Sequence, residues 1–228
     1  MGGDHQKLSK RHGATTIAEM RRDGYLPEAL FNFLTLLGWS PADGIEERSR
    51  AEMEKVFDGR RLNAAPAVFN QDKLDWLNSR RIRDLPNERY LEKARRFAPD
   101  PDISDAVLLL FKDELSYLSE LPGKLAMISA PPSPAEEELA EIKSWPDSRA
   151  VLEDFLKRLR ALTEFSPETL GGLIDDFKAT GPASGKKLFW PLRLAVTGSV
   201  KGPQIKDLLY LIGRDNLEKR VVDFLQKI

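Results

Sequence analysis

The stretch LPEALFNFLTLLGW, residues 26–39, decides the class of the fold. Pro27 stands where the first turn of a helix accepts a residue without an N–H. Leu30, Phe33, Leu34 and Leu37 then recur at i, i+3, i+4 and i+7, and Gly38 ends the run. A half-buried strand would alternate with period two, so this segment is an amphipathic helix. Working outward, Thr16 and Glu19 have the spacing of a capping box ahead of IAEMRR, with Gly24 as a stop. Downstream, the chain turns between Ser40 and Gly44, and SRAEMEKVF reads as a short helix capped by Ser49. Asn70 caps QDKLDWLNSRRIRDL, which Pro86 closes, and NERYLEKARRF follows with its cations late, where the helix dipole favours them.

The second half repeats the pattern. Leu108, Phe111, Leu115 and Leu118 predict a longer amphipathic helix that Pro122 and Gly123 interrupt. APPSPAEEE, residues 130–138, holds three prolines in four positions, which neither helix nor sheet can continue, and a domain boundary is expected there. Beyond it come three further sets at helical spacing: Leu152, Phe155, Leu156 and Leu159; Leu170, Leu173, Ile174 and Phe177; Leu217, Val221, Phe224 and Leu225. Alternation with period two is nearly absent, so the fold class is mainly α, with at most a short strand or two in the first 70 residues.

Composition limits the chemistry. With 228 residues, 41% hydrophobic and 31% charged, the chain has a globular balance and room for more than one small core. No run of 18 apolar residues is present, and the start, MGGDHQK, has no apolar export segment, so a soluble protein without membrane partners is expected. Cysteine is absent and the two histidines, His5 and His12, share one segment, which excludes disulfides and thiolate metal sites and leaves a reducing compartment as the default. A net charge of -1 argues against indiscriminate coating of nucleic acid, so any such site is a local patch.

Candidate patches follow from the basic residues. KLSKRHG, residues 7–13, sets Lys7 and Lys10 three apart with Ser9 between them and a glycine after, a pattern suited to phosphate oxygens. Taken alone, a basic run near a terminus is equally the pattern of a solvated tail, and that bland reading prevails. Further clusters lie at Arg80, Arg81 and Arg83, at Lys93, Arg95 and Arg96, at Lys157, Arg158 and Arg160, and at Lys186 and Lys187 beside Phe189 and Trp190. Each is most simply the wet side of an amphipathic helix. Arg193 differs: within WPLRLAVTGS it sits among apolar neighbours, where a guanidinium needs a specific partner, the plain alternative being an internal salt bridge. No paired carboxylates, nucleophile triad or glycine-rich phosphate cradle stands out.

Together, KLSKRHGA (7–14), YLPEALxNxLxxLGW (25–39), FNxDKLxWLN (69–78), LPxK (121–124) and PLRxAxTG (191–198) resemble the bacterial glutamyl-tRNA synthetase family from its second class I signature onward. The resemblance covers nearly the whole chain. It implies that KLSKR is the family's form of the KMSKS loop, with Lys7, Ser9 and Lys10 as catalytic residues and Lys7 and Lys10 on the phosphates of ATP, which acts with Mg2+ in the full-length enzyme. The family's HIGH-bearing half would precede this loop, so the sequence reads as a C-terminal fragment, inactive alone and without a bound cofactor. The resemblance also implies three regions: residues 1–85 with the loop and a stem-contact region, 86–130 a small helical domain, and 131–228 a helical anticodon-binding domain.

By the same resemblance, splayed anticodon bases enter helical pockets, and tRNA-binding residues are Arg80, Arg81, Arg83, Glu114, Lys187, Arg193, Gly202 and Ile205. Discriminating members carry an arginine against the first anticodon base in the helix before LPGK; here Glu114 aligns with that position and no arginine occurs between Arg96 and Arg149. Relaxed discrimination is therefore expected, with tRNA(Glu) as partner and tRNA(Gln) as a second one. Gly202 stands where some relatives carry threonine. The expected state is a cytoplasmic monomer that serves glutamate–tRNA ligation. A helical RNA-binding or protein-interaction module without an aminoacylation role is the alternative.

Overall fold

The computed structural model describes residues 16–63, 65 and 67–228, and the KLSKR segment with Lys7, Ser9 and Lys10 lies outside them. Among the described residues the fold is helical: thirteen α-helices and three 3-10 turns, with one isolated antiparallel bridge, Trp39 to Leu62, as the only β pairing. The chain divides into two compact units, Met1–Pro122 and Gly123–Ile228.

In the first unit, α1 (Ile17–Arg22) begins with the expected capping box. The Glu19 N–H donates to Thr16 Oγ1 at 3.1 Å while Glu19 Oε2 accepts the Thr16 N–H at 2.7 Å. Gly24 then turns the chain at φ +82°, where a Cβ would meet Leu118 Cβ at 2.6 Å, so only glycine fits. Pro27 opens α2 (Pro27–Gly38), which buries Leu30 and Phe33 against α4 (Gln71–Asp84) through Leu74 and Leu77. The expected caps also form on α3 (Arg50–Val56), by Ser49 with Glu52, and on α4, where Asn70 Oδ1 accepts the Lys73 N–H at 3.0 Å.

The long helix expected over 108–118 does not form. α5 (Asn87–Ala94) is followed by a short α6 (Asp105–Leu110), a 3-10 turn at Lys112–Glu114, and a second 3-10 turn at Leu118–Glu120. Side chains from elsewhere take over the backbone groups that a continuous helix would pair. Tyr90 Oη donates to the Leu108 carbonyl at 2.8 Å, Asn78 Nδ2 to the Ser116 carbonyl at 2.5 Å, and Glu120 accepts the Ser116 N–H at 2.6 Å. The four apolar residues still reach the core, by a folded-back route. Pro122 and Gly123 do not interrupt a helix either. They lie in the first turn of α7 (Leu121–Ser129), where a missing N–H costs nothing.

The second unit packs α8 (Glu136–Lys143), α9 (Ser148–Ala161), α10 (Pro167–Thr180), α11 (Lys186–Thr197), α12 (Ile205–Ile212) and α13 (Arg214–Leu225). The three apolar sets read from the sequence are buried, except that Leu225 is half-exposed. α11 lies against both α9 and α13, and α10 against α12. Residues 131–135 are free of helix and run close to the end of α11: a Cβ on Gly198, at φ +75°, would come within 2.8 Å of the Ser133 nitrogen.

Asn78 is the polar centre of the first unit. It is fully buried, accepts the Leu26 N–H at 2.8 Å and donates to Ser116, thereby joining the start of α2 to the 115–117 segment. Asn78→Ala leaves two buried backbone groups unsatisfied and should cost about 2–4 kcal/mol, measured as the shift in urea midpoint at constant m-value; a loss below about 0.5 kcal/mol would contradict this role.

Candidate functional site

The sequence-selected residues fall into two groups, one in each unit. In the first, α4 carries Arg80, Arg81 and Arg83. Arg80 is half committed, its Nε donating to Glu47 at 3.1 Å. Arg83 Nε and Nη2 donate to the Asp113 carbonyl at 3.2 and 3.0 Å. Arg83 thus supports the 3-10 turn that bears Glu114, and those two selected residues belong to one surface. Arg81 is half-buried, and its Nε and Nη2 are inaccessible without a hydrogen-bond partner among the described residues. Its charge lowers the carboxyl pKa of nearby Glu52, after the larger influence of the Ser49 hydrogen bonds.

In the second unit the structure brings Arg193, Gly202 and Ile205 together. Arg193 Nη2 donates to the Gly202 carbonyl at 3.4 Å and also to the Pro203 carbonyl. Its guanidinium is thus bound to the carbonyls of a turn. α11 presents the guanidinium, Gly198 turns the chain, and the segment returns to start α12 at buried Ile205. Gly202 takes φ +136°, with its missing Cβ 3.6 Å from Arg193 Nη1 and 3.9 Å from Met127 Sδ. Any side chain there is strained by the backbone, and its Cβ would stand in ordinary contact with the guanidinium.

Lys187 is exposed in the first turn of α11, apart from this turn. Its neighbour Lys186 is occupied: Nζ lies 3.9 Å from the Trp190 ring centroid, 5.5 Å from that of Trp145, and 2.8 Å from Glu141 Oε1. The 157–160 cluster is the solvated face expected of it, with Arg158 paired to Asp154 and Asp176, and Arg160 to Glu218 at 3.0 Å.

Arg220 escaped a reading by charge clusters. It is 8% exposed and donates to the carbonyls of Met127 at 2.8 Å, Ile128 at 2.6 Å and Val196 at 2.6 Å. Its spacing carried the signal, because 217, 220, 221 and 224 share one helical face with the apolar set of α13. Arg193→Met should release the 199–204 turn, at a cost of about 1–3 kcal/mol. Hydrogen–deuterium exchange would show faster exchange in residues 199–205 with α9 and α10 unchanged; unchanged exchange in the turn would contradict the contact's role.

Comparison with known proteins fits this geometry. The family model described as tRNA synthetases class I (E and Q), catalytic domain, matches residues 1–76, and the anticodon binding domain model matches residues 74–225. Glutamate–tRNA ligase of Aquifex aeolicus is 35% identical over 100% of the chain, which covers 50% of that protein. Glutamate–tRNA ligase 1 of a Thermoanaerobacter species is 36% identical over 97% of the chain and 48% of the relative. The chain therefore spans about half the length of the curated relatives it matches. Among solved structures, a glutamate tRNA ligase from Elizabethkingia meningosepticum, crystallised in complex with its amino acid, superposes with a TM-score of 0.70 at 25% identity, over 97% of the chain and 48% of that structure. The Elizabethkingia anophelis glutamate–tRNA synthetase gives the same TM-score of 0.70 at 28% identity. The chain belongs to the anticodon binding domain family, whose model takes in residues 74–225, and along its whole length it is homologous to about half of glutamate–tRNA ligase.

Proposed function

We propose that this chain is the tRNA-reading portion of a glutamate–tRNA ligase, the enzyme that attaches glutamate to tRNA(Glu) at the expense of ATP. The observation that carries this reading is the turn at Gly202 and Pro203, which Arg193 holds beside buried Ile205 within the region matched by the anticodon binding model. Arginine is suited to that position. Its planar fork bonds the carbonyls of the turn and so fixes the surface that an unstacked base would meet. Arg80, Arg81, Arg83 and Glu114 are the corresponding tRNA-binding residues of the first unit, and Lys187 adds charge in the first turn of α11. The functional division is 1–85 for the loop and stem contact, 86–130 for the small helical domain and 131–228 for anticodon reading.

ATP belongs to the class I family. In the whole enzyme Lys7, Ser9 and Lys10 would meet its phosphates, with Mg2+ as the counter-ion, since two ammonium groups suit charge developing on phosphate oxygens. The proposed setting is the cytoplasm and the proposed state a monomer; among the described residues no helix is long and apolar enough to cross a membrane.

Glu114 occupies the position expected to discriminate the first anticodon base, and a carboxylate offers no donor fork to it. Transcripts of tRNA(Glu) and tRNA(Gln) should accordingly bind within about threefold of each other. Binding should weaken steeply as salt rises, because part of it is ionic. Arg193→Ala should reduce tRNA(Glu) affinity roughly tenfold or more, corresponding to about 1.4 kcal/mol. Filter binding of both transcripts across a salt series tests this; equal affinity of wild type and variant would overturn the site. Joined to the nucleotide-binding half of a glutamate–tRNA ligase, the chain should support glutamate-dependent pyrophosphate exchange. An inert fusion of a chain that captures a protein instead would favour an interaction module.

A further inference from the structure

A cavity of about 440 Å3 opens in the first unit between α1, the Gly24–Pro27 turn and the segment that ends α5, and its chemistry belongs to none of the residues assigned above. Three cations line it, Arg21, Lys93 and Arg96, and no carboxylate is among its lining residues. Arg96 shares Glu92 with Arg89, at 3.5 and 3.2 Å, in a pair that is exposed and weak. Among the described residues Arg21 and Lys93 form no ion pair, and Glu19, the nearest acid on α1, is engaged by Thr16 and Arg22.

The apolar wall is equally defined. Phe97 and Leu118 close over Gly24, the one residue whose lack of a Cβ permits their approach, and the Ser119 N–H donates to the Asp23 carbonyl at 3.0 Å to hold that floor. Ile17, 55% exposed, stands among the lining residues and leaves an uncovered apolar surface. A concave site of this size, lined by three cations and a mainly apolar wall, matches a small anion that carries a flat apolar body. Arg21 and Lys93 have no ion-pair partner among the described residues, and the Glu92 that Arg96 shares is itself exposed, so positive charge at this opening is left largely uncompensated.

We propose that this cavity binds one nucleotide, its phosphate on Arg21, Lys93 and Arg96 and its base against Ile17, Phe97 and Leu118. Two sources share that chemistry: a nucleotide of a bound RNA chain, and a free mononucleotide. The first source rests on the reading of the chain as tRNA-binding; the second does not.

The test titrates a tRNA(Glu) transcript and, separately, ADP into wild type, the double variant Arg21→Ala/Lys93→Ala, and Ile17→Glu. The last places a carboxylate at the cavity in the first turn of α1, where a helix favours acid, so it repels the ligand without threatening the fold. If the nucleotide belongs to RNA, transcript affinity falls roughly tenfold in both variants, and the double variant reduces the salt slope by about 2. If it is free, ADP binds wild type and neither variant, and transcript affinity is unchanged. Transcript and ADP binding that are both insensitive to the two variants would overturn the proposal, as would a wild type that binds neither. A wild type that binds ADP but no transcript would overturn the tRNA reading while supporting the cavity.

Discussion

A guanidinium leaves water only where acceptors replace its hydration, and in the second unit that requirement organises the packing around Arg220. The last carbonyls of a helix have no intrahelical donor and carry the negative end of its dipole. Met127 and Ile128 of α7 and Val196 of α11 bring three such carbonyls to one place, and Arg220 of α13 supplies the donors. Burial pulls its pKa below the ordinary guanidinium value, yet a group that starts so high stays charged. The clamp fixes where α11 ends. From that end follow Gly198 in its left-handed conformation, the turn after it, and the distance over which Arg193 reaches back to Gly202 and Pro203. One buried cation therefore sets the stage on which a second, half-buried cation holds the 199–204 turn.

The first unit solves a similar problem with neutral groups. Asn78 satisfies the start of α2 and the folded-back segment at once, while Tyr25 donates to Asp75 at 2.5 Å and accepts from Gln71 at 2.8 Å. Burial and the adjacent Asp75 carboxylate push the Tyr25 hydroxyl well above its usual pKa, so it remains a donor at any physiological pH. Tyr25 also stacks on Tyr117 with centroids 5.2 Å apart, which ties the Gly24 turn to the same segment that Asn78 holds. The result is a polar frame that joins α4 to the start of α2 and to the 115–117 segment.

Much of the fold was legible because its signals are local. Capping pairs at Thr16 and Glu19 and at Ser49 and Glu52, proline at the start of α2, and apolar residues at helical spacing all act within one or two turns. The failure at 108–118 has a distinct cause: Tyr90 and Asn78 take backbone carbonyls there from far along the chain, with Glu120 capping locally, and periodicity is blind to partners so remote in sequence. Arg193 was legible as a guanidinium among apolar residues, but its partner was not, since backbone carbonyls leave no mark in a sequence. Arg80 and Arg83 illustrate the opposite limit. Their charge was plain, whereas only the coordinates show how much of it Glu47 and the Asp113 carbonyl already use. Arg220, hidden among ordinary surface charges in composition, was exposed to view only by its place on the apolar face of α13.

We propose that this chain meets an anticodon through the turn that Arg193 supports. Backbone amide chemical-shift mapping with an isolated tRNA(Glu) anticodon stem-loop tests it most directly. The largest shifts should fall in residues 198–206 and along the solvent side of α11, saturating together at one affinity. Saturable binding that leaves those amides unmoved, with the shifts gathered elsewhere in the second unit, would contradict it.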